Sequence, residues 1–451
     1  MSKIIDIKGR QVLDSRGTPT VEVEILTEMM ISATAIVPSG ASTGEKEAYE
    51  LRDNDPKYFN GKSVLKAVEN VNTIIKKAIL ENEIYSENQE ELDNLLIKLD
   101  GTKNKSKLGA NAILAVSMAA AKVSAMEQST PLYKYLGGVG SNVLPIPFLN
   151  VINGGAHADN IIDFQEFMIV PTGAKCFSHA MEMAYNVYNN IKKILKNKGL
   201  STNVGDEGGF APNLESIEHV LDILVEAIKM SGYNPKQFGK NAVAIALDVA
   251  ASELNIKSGP DTGKYLMKKL SKKHNKNIIK TSDEMIAFYE TLINKYPVVS
   301  IEDGLGEHDW AGFEKLNKAI GNKVQIVGDD LFVTNPKLIV KGIENKAANS
   351  VLIKINQIGT ITETIQAINL AKKYNMSAMI SHRSGETEDT FIADLAVAFN
   401  TGQIKTGAMS RSERIAKFNR LLRIEESLDK SAHYLGLCGC AFYNLKDKDL
   451  K

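Results

Sequence analysis

The sequence predicts an α/β protein in which a small N-terminal α+β domain, a three-stranded meander with helices, precedes a (β/α) barrel. Six apolar runs each carry an ionisable side chain near their C-terminal end. These runs begin at residues 241, 297, 323, 350, 377 and 403. The chain has 451 residues, whereas a barrel of this class uses about 250. A second domain is therefore expected.

The N-terminal part alternates apolar and polar residues in three segments between residues 3 and 38, a period of two that predicts strands. Helical periodicity follows in three further segments, at residues 62–80, 91–99 and 108–126. A Gly/Pro-rich stretch at residues 137–147 is the expected boundary. We therefore expect one domain at 1–136 and a second at 137–451.

A loop rich in small residues joins the meander to the first helix. It has the sequence PSGASTGEKEA and covers residues 38–48. Glycine and small polar residues suit a flexible loop, and a lid over an active site needs such a loop. A plain surface loop is the alternative interpretation.

The six apolar runs deliver ionisable side chains at regular intervals. These side chains are Asp248, Glu302, Asp329, Lys354, His382 and Lys405. From Glu302 onward they recur every 23 to 28 positions, close to the roughly 30 residues of a strand–helix–strand unit. We place Lys354 inside a buried strand, SVLIKIN, where an ammonium needs a partner. Catalytic residues of such barrels lie at strand ends, so one shared site is expected. Unrelated charges at a solvated rim are the alternative.

Further polar residues accompany the start of the barrel. His157 follows a Gly-Gly turn, and Gln165 and Glu166 interrupt the apolar run DFQEFMIVP. Glu207 precedes two glycines in NVGDEGGFAPN. Glycines let backbone and ligand approach closely, although Asp-Gly turns without a ligand are also common.

The expected cluster combines carboxylates with cations. Asp248, Glu302 and Asp329 would repel one another without a cation, and their oxygen ligands favour Mg²⁺ over zinc. We expect neighbouring cations to lower the pKa of Lys354 or Lys405, so that a lysine can act as a base.

The remaining cations indicate the substrate class. Mg²⁺, two lysines and Arg383 beside His382 suit a substrate with several negative charges, such as a carboxylate and a phosphate. Glu166 and Glu207 are candidates for a general acid. A base, an acid and a metal favour proton abstraction next to a carboxylate, with the metal stabilising the enediolate.

The composition excludes several classes of protein. Lys+Arg and Asp+Glu both number 54, so neither nucleic acid nor an anionic membrane is an expected partner. No apolar run reaches the roughly 18 residues of a membrane span, and the N-terminal residues do not resemble a signal peptide. Three cysteines favour a reducing compartment, and the expected location is the cytoplasm. Cys438 and Cys440 have no second cysteine pair, so a zinc site is disfavoured.

An insertion is expected between Asp248 and Glu302. These residues are 54 positions apart, about the length of two units, and the excess at residues 255–280 holds eight lysines. We favour a solvated insertion over a binding patch.

Long motifs of this sequence resemble the enolase family, the phosphopyruvate hydratases. They are PSGASTG, NGGAHADN, QEFMIVP, NVGDEGGFAPN, SIEDG, VGDDLFVTNP, LIKINQIGT, SHRSGETED and IKTGAMSRSERIAKFNRLLRIEE. The motifs follow one another over nearly the whole chain, and GAHAD and IEDGL resemble the bacterial members. An epimerase or cycloisomerase of the same superfamily would share the acids and lysines but is not expected to carry SHRSGETED.

The resemblance implies a reversible dehydration of 2-phospho-D-glycerate to phosphoenolpyruvate. It implies that Lys354 removes the C2 proton and that Glu207 protonates the leaving C3 hydroxyl. Glu166 would assist through water, and His157 would close over the site.

Binding roles are implied in the same way. The implied metal ligands are Asp248, Glu302 and Asp329 for a first Mg²⁺ and Ser42 for a second, which arrives with substrate. The implied substrate-binding residues are Lys405 for the carboxylate, Arg383 and Ser384 for the phosphate, and Gln165, His382 and Ser42.

The resemblance also implies an architecture and an assembly. The family's eight-stranded TIM barrel opens with two antiparallel strands and two helices, and its members form homodimers or octamers. The alternative function is a non-catalytic one alongside catalysis, as a surface receptor of the plasminogen-binding type or a scaffold. The chain would then also occur at the cell surface, or be secreted without a signal peptide.

Overall fold

The structure is a computed structural model that describes residues 2–41 and 43–439. Its first three strands are β1 (Ile4–Leu13), β2 (Pro19–Thr27) and β3 (Ser32–Ile36), which form an antiparallel sheet in that order. Val21, Val23 and Ile25 of β2 are buried, and the residues between them are partly exposed. One face of the sheet therefore turns to the core, and the predicted meander is confirmed.

Helices pack on this sheet. They are α1 (Leu65–Asn70), α2 (Lys76–Glu81), α3 (Gln89–Asp100), α4 (Ala110–Glu127) and α5 (Leu132–Gly137). The single helix predicted over residues 62–80 is interrupted by a π-helical turn at Val71–Ile75. Helix α4 is buried along most of its length against β2 and β3, since alanine side chains allow close packing on all sides.

The remaining strands form a barrel and two small pairs. They are β4 (Val143–Leu144), β5 (Ile146–Asn153), β6 (Glu166–Val170), β7 (Ala244–Asp248), β8 (Tyr265–Leu266), β9 (Ile279–Lys280), β10 (Val298–Glu302), β11 (Gln325–Gly328), β12 (Ser350–Ile353), β13 (Ser377–Ser381), β14 (Gln403–Lys405) and β15 (His433–Tyr434). Eight of them close the barrel in the order β10-β11-β12-β13-β14-β5-β6-β7. Every residue of these eight strands is buried, which explains their nearly continuous apolar sequences.

Ten further α-helices follow within the residues that the structure describes. They are α6 (Phe177–Asn197), α7 (Ile217–Met230), α8 (Lys268–His274), α9 (Ser282–Lys295), α10 (Trp310–Ile320), α11 (Pro336–Glu344), α12 (Ile355–Ile358), α13 (Ile361–Lys373), α14 (Phe391–Ala398) and α15 (Ser412–Leu428). Strand β6 is antiparallel to both β5 and β7, and α6 and α7 follow it. The irregular opening implied by the resemblance is therefore confirmed. The barrel strands β7 and β10–β14 pair in parallel with their barrel neighbours in this series, and helices lie between successive strands of it in the chain.

The six apolar runs correspond to β7 and β10–β14. The interpretation of SVLIKIN is wrong in one respect, because β12 ends at Ile353 and Lys354 is the residue that precedes α12. An extended backbone at Lys354, with φ −120° and ψ 110°, carries its side chain to the rim of the barrel. In the part of the chain that the structure describes, no helix combines the length and the apolar character required to cross a membrane.

Candidate active site

Ten of the predicted site residues line one small cavity at the C-terminal ends of the parallel barrel strands. They are His157, Gln165, Glu166, Glu207, Asp248, Lys354, His382, Arg383, Ser384 and Lys405. Glu166 reaches this end because β6 is antiparallel, so that its first residue pairs with the last residue of β7. Two further predicted residues, Glu302 and Asp329, join the group through ion pairs with Lys405 and Lys354. Ser42 lies outside the described residues.

Lys405 sits among carboxylates. Its ammonium lies 2.8 Å from Glu302 Oε1, 2.9 Å from Asp248 Oδ2 and 3.1 Å from Glu166 Oε2. Burial opposes its charge, but the three carboxylates outweigh burial and raise the pKa of Lys405 well above its ordinary value. Burial, reinforced by Asp248, likewise raises the pKa of Glu302. The prediction that neighbouring cations lower the pKa of Lys405 is wrong, because its nearest neighbours are acids.

Lys354 forms a separate ion pair. Its Nζ lies 2.5 Å from Asp329 Oδ2, and Gln357 Nε2 donates to Asp329 Oδ1 at 2.9 Å. Burial tends to lower the pKa of Lys354, and the charges of Arg383 and Lys405 act in the same direction. The charge of Asp329 outweighs them, so the pKa of Lys354 is raised, and the predicted lowering is wrong here too. Burial would raise the pKa of Asp329, but the ammonium outweighs it and the pKa is lowered.

Two glutamates and a histidine form a third group. His157 Nδ1 lies 3.5 Å from Glu166 Oε1 and 3.8 Å from Glu207 Oε1. Burial, together with the charge of Glu207, raises the pKa of Glu166 well above its usual range. Glu207 is equally buried, but His157 and His382 stabilise its charge and its pKa lies well below the usual range. Asn150 Nδ2 also donates to Glu207 Oε2 at 2.9 Å. The opposite shifts mean that a proton is held more readily by Glu166 than by Glu207.

Arg414 of α15 fastens the segment that follows β13. Its NH1 donates to His382 Nδ1 and to Arg383 O, both at 2.6 Å, and its NH2 donates to Ser384 O at 2.6 Å. Burial lowers the pKa of His382 to about 4, so the imidazole is neutral and Nδ1 can accept this bond. The other ring nitrogen, Nε2, lies 3.4 Å from Glu207 Oε2. Ser384 Oγ donates to Glu207 Oε1 at 3.1 Å.

Arg383 connects the barrel to the loop at residues 38–48. Its NH1 donates to Glu47 Oε2 and to Asn356 Oδ1, each at 3.0 Å, and its NH2 donates to Glu47 Oε1 at 3.3 Å. Glu47 Oε1 also accepts from Gly44 N at 3.1 Å. A single carboxylate therefore holds both the loop and the guanidinium that lines the cavity.

The donors at the strand ends fit a hard divalent cation. Asp248 and Glu302 are partners in the register of β7 and β10, and β11 beside them leads into Asp329. Glu302 Oε2 is buried and has no hydrogen-bond partner among the residues that the structure describes. Asp329 also clusters with Asp303 and Asp330, whose carboxylate oxygens lie within 4.8 Å of one another. Carboxylate oxygens are the ligands that Mg²⁺ prefers, so these acids could hold a metal ion.

Four residues of the site were not among the sequence predictions. They are Glu47, Asn150, Gln357 and Arg414. Arg414 had a detectable signal, because Arg414 and Lys417 lie on the buried face of α15 with Phe418 and Leu421. Cations on the apolar face of a helix require acceptors elsewhere in the fold. We find no comparable local signal for the other three.

Two family models match this chain. "Enolase, N-terminal domain" matches residues 4–136, and "Enolase, C-terminal TIM barrel domain" matches residues 141–441. An enolase from Mycoplasmopsis synoviae (strain 53) is 56% identical over 457 residues, which cover 99% of this chain and 100% of that relative. The antiparallel sheet and the closed eight-stranded barrel agree with both matches. The chain belongs to the enolase family and is accordingly a phosphopyruvate hydratase, a glycolytic lyase that interconverts 2-phospho-D-glycerate and phosphoenolpyruvate.

Proposed function

We propose that Lys354 is the base that removes the C2 proton and that Glu207 delivers the proton to the leaving C3 hydroxyl. The observation that carries this proposal is that Lys354 and the Glu166–Glu207 pair line the same cavity, with pKa shifts of opposite direction for the two glutamates. The two proton transfers of a dehydration need two such groups, one on each reacting carbon. The ion pair of Lys354 with Asp329 and the contacts of Glu207 with His157 and His382 keep the two groups distinct.

Glu166 supplies the proton that Glu207 transfers. The depressed pKa of Glu207 disfavours its protonated form, so Glu207 needs a source for the proton that it transfers, whereas burial raises the pKa of Glu166 and favours a proton there. His157 Nδ1 lies within 4 Å of both carboxyl groups, so either this ring or a water molecule in its place can relay the proton. His157 also closes the cavity, where its Nε2 lies 3.4 Å from Ser384 Oγ.

The cations of the cavity bind the two anionic groups of the substrate. Lys405, together with Gln165, contacts the carboxylate. Arg383 and Ser384 bind the phosphate, and His382 keeps this segment in place through its bond with Arg414. A planar guanidinium suits this task, since it can donate two parallel bonds to a phosphate. The bond from Ser384 to Glu207 further suggests that phosphate binding and the acid are connected.

The site would hold two Mg²⁺ ions. Asp248, Glu302 and Asp329 would hold the first, which the orphaned Glu302 oxygen supports. Ser42 would be a ligand of a second ion that binds together with substrate. Bound Mg²⁺ supplies electrostatic stabilisation of the negative charge that develops on the substrate carboxylate once the C2 proton has left.

The proposed organisation of the protein follows the family. The domains are 1–136 and 137–451, the assembly is a homodimer or an octamer, and the location is the cytoplasm. A receptor role at the cell surface is not favoured, because the likeness to an enolase extends over the full chain and the proposed catalytic residues occupy one cavity.

The direct test is the absorbance of phosphoenolpyruvate formed from 2-phosphoglycerate, with Mg²⁺ and after its removal by a chelator. We expect turnover only with Mg²⁺. Asp248→Asn should raise the Mg²⁺ requirement strongly, while Asp261→Asn, an exchange in the exposed part of the insertion, should leave it unchanged. Equal Mg²⁺ dependence of the two variants would contradict the proposed first site.

A further inference from the structure

The lysine-rich insertion at residues 255–280 is folded and attached to the active-site rim. Strands β8 and β9 pair in antiparallel fashion, and α8 lies between them in the chain. Helix α8 faces the loop at residues 154–163, which carries His157. The insertion therefore does more than extend into solvent.

Lys269 binds the backbone on both sides of His157. Its Nζ donates to Gly155 O at 2.6 Å and to Ala158 O at 2.7 Å. Gly155 begins the 3₁₀ turn Gly155–His157 in the left-handed conformation, with φ +49°. An ammonium that bridges the two carbonyl groups fixes the distance between them. It thereby fixes the backbone position from which the His157 side chain projects.

Asp163 joins the same loop and helix through bonds in which the loop residue is the acceptor. Its Oδ1 accepts from Lys269 N at 2.9 Å, and its Oδ2 accepts from Leu270 N at 3.0 Å. The loop thus supplies the carboxylate that accepts bonds from the backbone of α8, and α8 supplies the ammonium that donates to the carbonyl groups of the loop. Burial lowers the pKa of Lys269, and the charges of Asp163 and Asp159 oppose that effect.

We propose that Lys269 is a positioning residue of this enzyme, which holds His157 at the Glu166–Glu207 pair by bridging the carbonyl groups of Gly155 and Ala158. The inference rests on the role proposed above for His157 in proton relay. It assigns a function to the insertion that is distinct from solvation and from ligand binding. Because small displacements of catalytic groups reduce rates steeply, loss of the bridge should reduce turnover without removing any group that touches the substrate.

Other lysines of α8 provide a matched control. Lys272 is exposed, and within residues 2–41 and 43–439 its ammonium forms no hydrogen bond or ion pair. Lys272→Met therefore removes the same charge from the same helix without touching the bridge. Lys269→Arg keeps a positive charge and N–H donors at the same position.

The experiment measures kcat, KM and the exchange of the C2 hydrogen with solvent for the purified full-length enzyme with Mg²⁺. Lys269→Met should lower kcat about 10- to 100-fold and should slow dehydration more than C2 exchange, since His157 serves the acid side of the reaction. Lys269→Arg should recover part of kcat, and Lys272→Met should match the unmodified enzyme. Asp163→Asn, which weakens the attachment from the loop side, should show the same change of ratio on a smaller scale.

A double-variant cycle with His157→Ala decides the mechanism. If Lys269 acts through His157, Lys269→Met should have little further effect in the His157→Ala background. Full additivity, or an unchanged ratio of exchange to dehydration in Lys269→Met, overturns the inference while leaving the proposed role of His157 intact. If His157→Ala itself leaves that ratio unchanged, the proposed role of His157 fails, and the inference fails with it.

Discussion

Replacement of Lys354 by alanine removes the proposed base and should stop abstraction of the C2 proton. A general base contributes about 10²- to 10⁴-fold to the rate. The C2 hydrogen lies next to a carboxylate and is a very weak acid, so the loss of kcat should reach about 10⁴-fold or more. The other groups that line the cavity remain, and substrate binding should change much less than kcat.

The structure also predicts the effect of this exchange on stability. Removal of one partner of a buried ion pair costs about 3–5 kcal/mol when the other charge is left alone. Asp329 keeps the bond from Gln357 Nε2 at 2.9 Å and can take up a proton once the ammonium that lowers its pKa is gone. We therefore expect the free energy of unfolding to fall by only about 1–3 kcal/mol, and the variant should fold.

Proton NMR of 2-phosphoglycerate in deuterated buffer with Mg²⁺ measures the decisive quantity, the rate of C2 exchange. The control is Lys272→Ala, an exposed lysine whose loss should change neither exchange nor turnover. Circular dichroism and urea denaturation establish that the Lys354→Ala protein is folded. A folded variant that still exchanges the C2 hydrogen at the original rate would show that the base is another residue.

Four further outcomes follow from the site. Glu207→Gln should abolish formation of phosphoenolpyruvate while C2 exchange continues, because the proton can leave and return without departure of the hydroxyl; joint loss of both rates would refute this division of roles. Ser42→Ala should raise the Mg²⁺ concentration needed for turnover. Calorimetry should find one tight Mg²⁺ site in the substrate-free enzyme, and Ser42→Ala should leave the affinity of that site unchanged. Two tight sites without substrate would contradict the proposal that the second Mg²⁺ binds only together with substrate. Arg414→Met should lower the free energy of unfolding by about 3–5 kcal/mol, because three buried acceptors and the partly buried Asp206 carbonyl lose their donor; a loss below about 1 kcal/mol in urea denaturation would argue against this role. The folded pKa of His382, about 4, lies below its ordinary value of 6.5, so the unfolded chain binds the proton first and stability falls as the pH drops through 6.5. This loss amounts to about 2 kcal/mol between about pH 6.5 and 5, and denaturation of His382→Gln should lack it; an equal slope in both proteins would count against the buried neutral imidazole.

Local pattern was sufficient for the N-terminal meander, the six apolar runs and the helical segments predicted in the N-terminal part. The runs that became β7 and β10–β14 are mainly apolar because parallel barrel strands are buried on both faces, and that signal is contained in each strand of three to five residues. The spacing of the ionisable residues near the C-terminal ends of these runs, such as Asp329 and Lys354, also predicted that they would meet at one rim. Burial on every side similarly explains the alanine-rich sequence of α4.

Local pattern was insufficient where a partner comes from a distant segment. The antiparallel direction of β6 depends on how β5 and β7 flank it, and the motif resemblance, not the spacing, anticipated it. The bond between Arg383 and Glu47 joins residues 336 positions apart. No periodicity of either segment encodes such a contact.

The charge state of the lysines is the clearest case in which tertiary structure decided the chemistry. The sequence analysis predicted that Lys354 and Lys405 would lie at a common rim, with both cations and acids around them, and both lysines line the same cavity. It does not determine which of these lies closest. The fold places Lys405 within 3 Å of Asp248 and Glu302, residues 157 and 103 positions away, and so raises a pKa that chain order alone suggested would fall. The physical reason is that the interaction between charges depends on their separation in space and on burial, and both quantities exist only after the chain has folded.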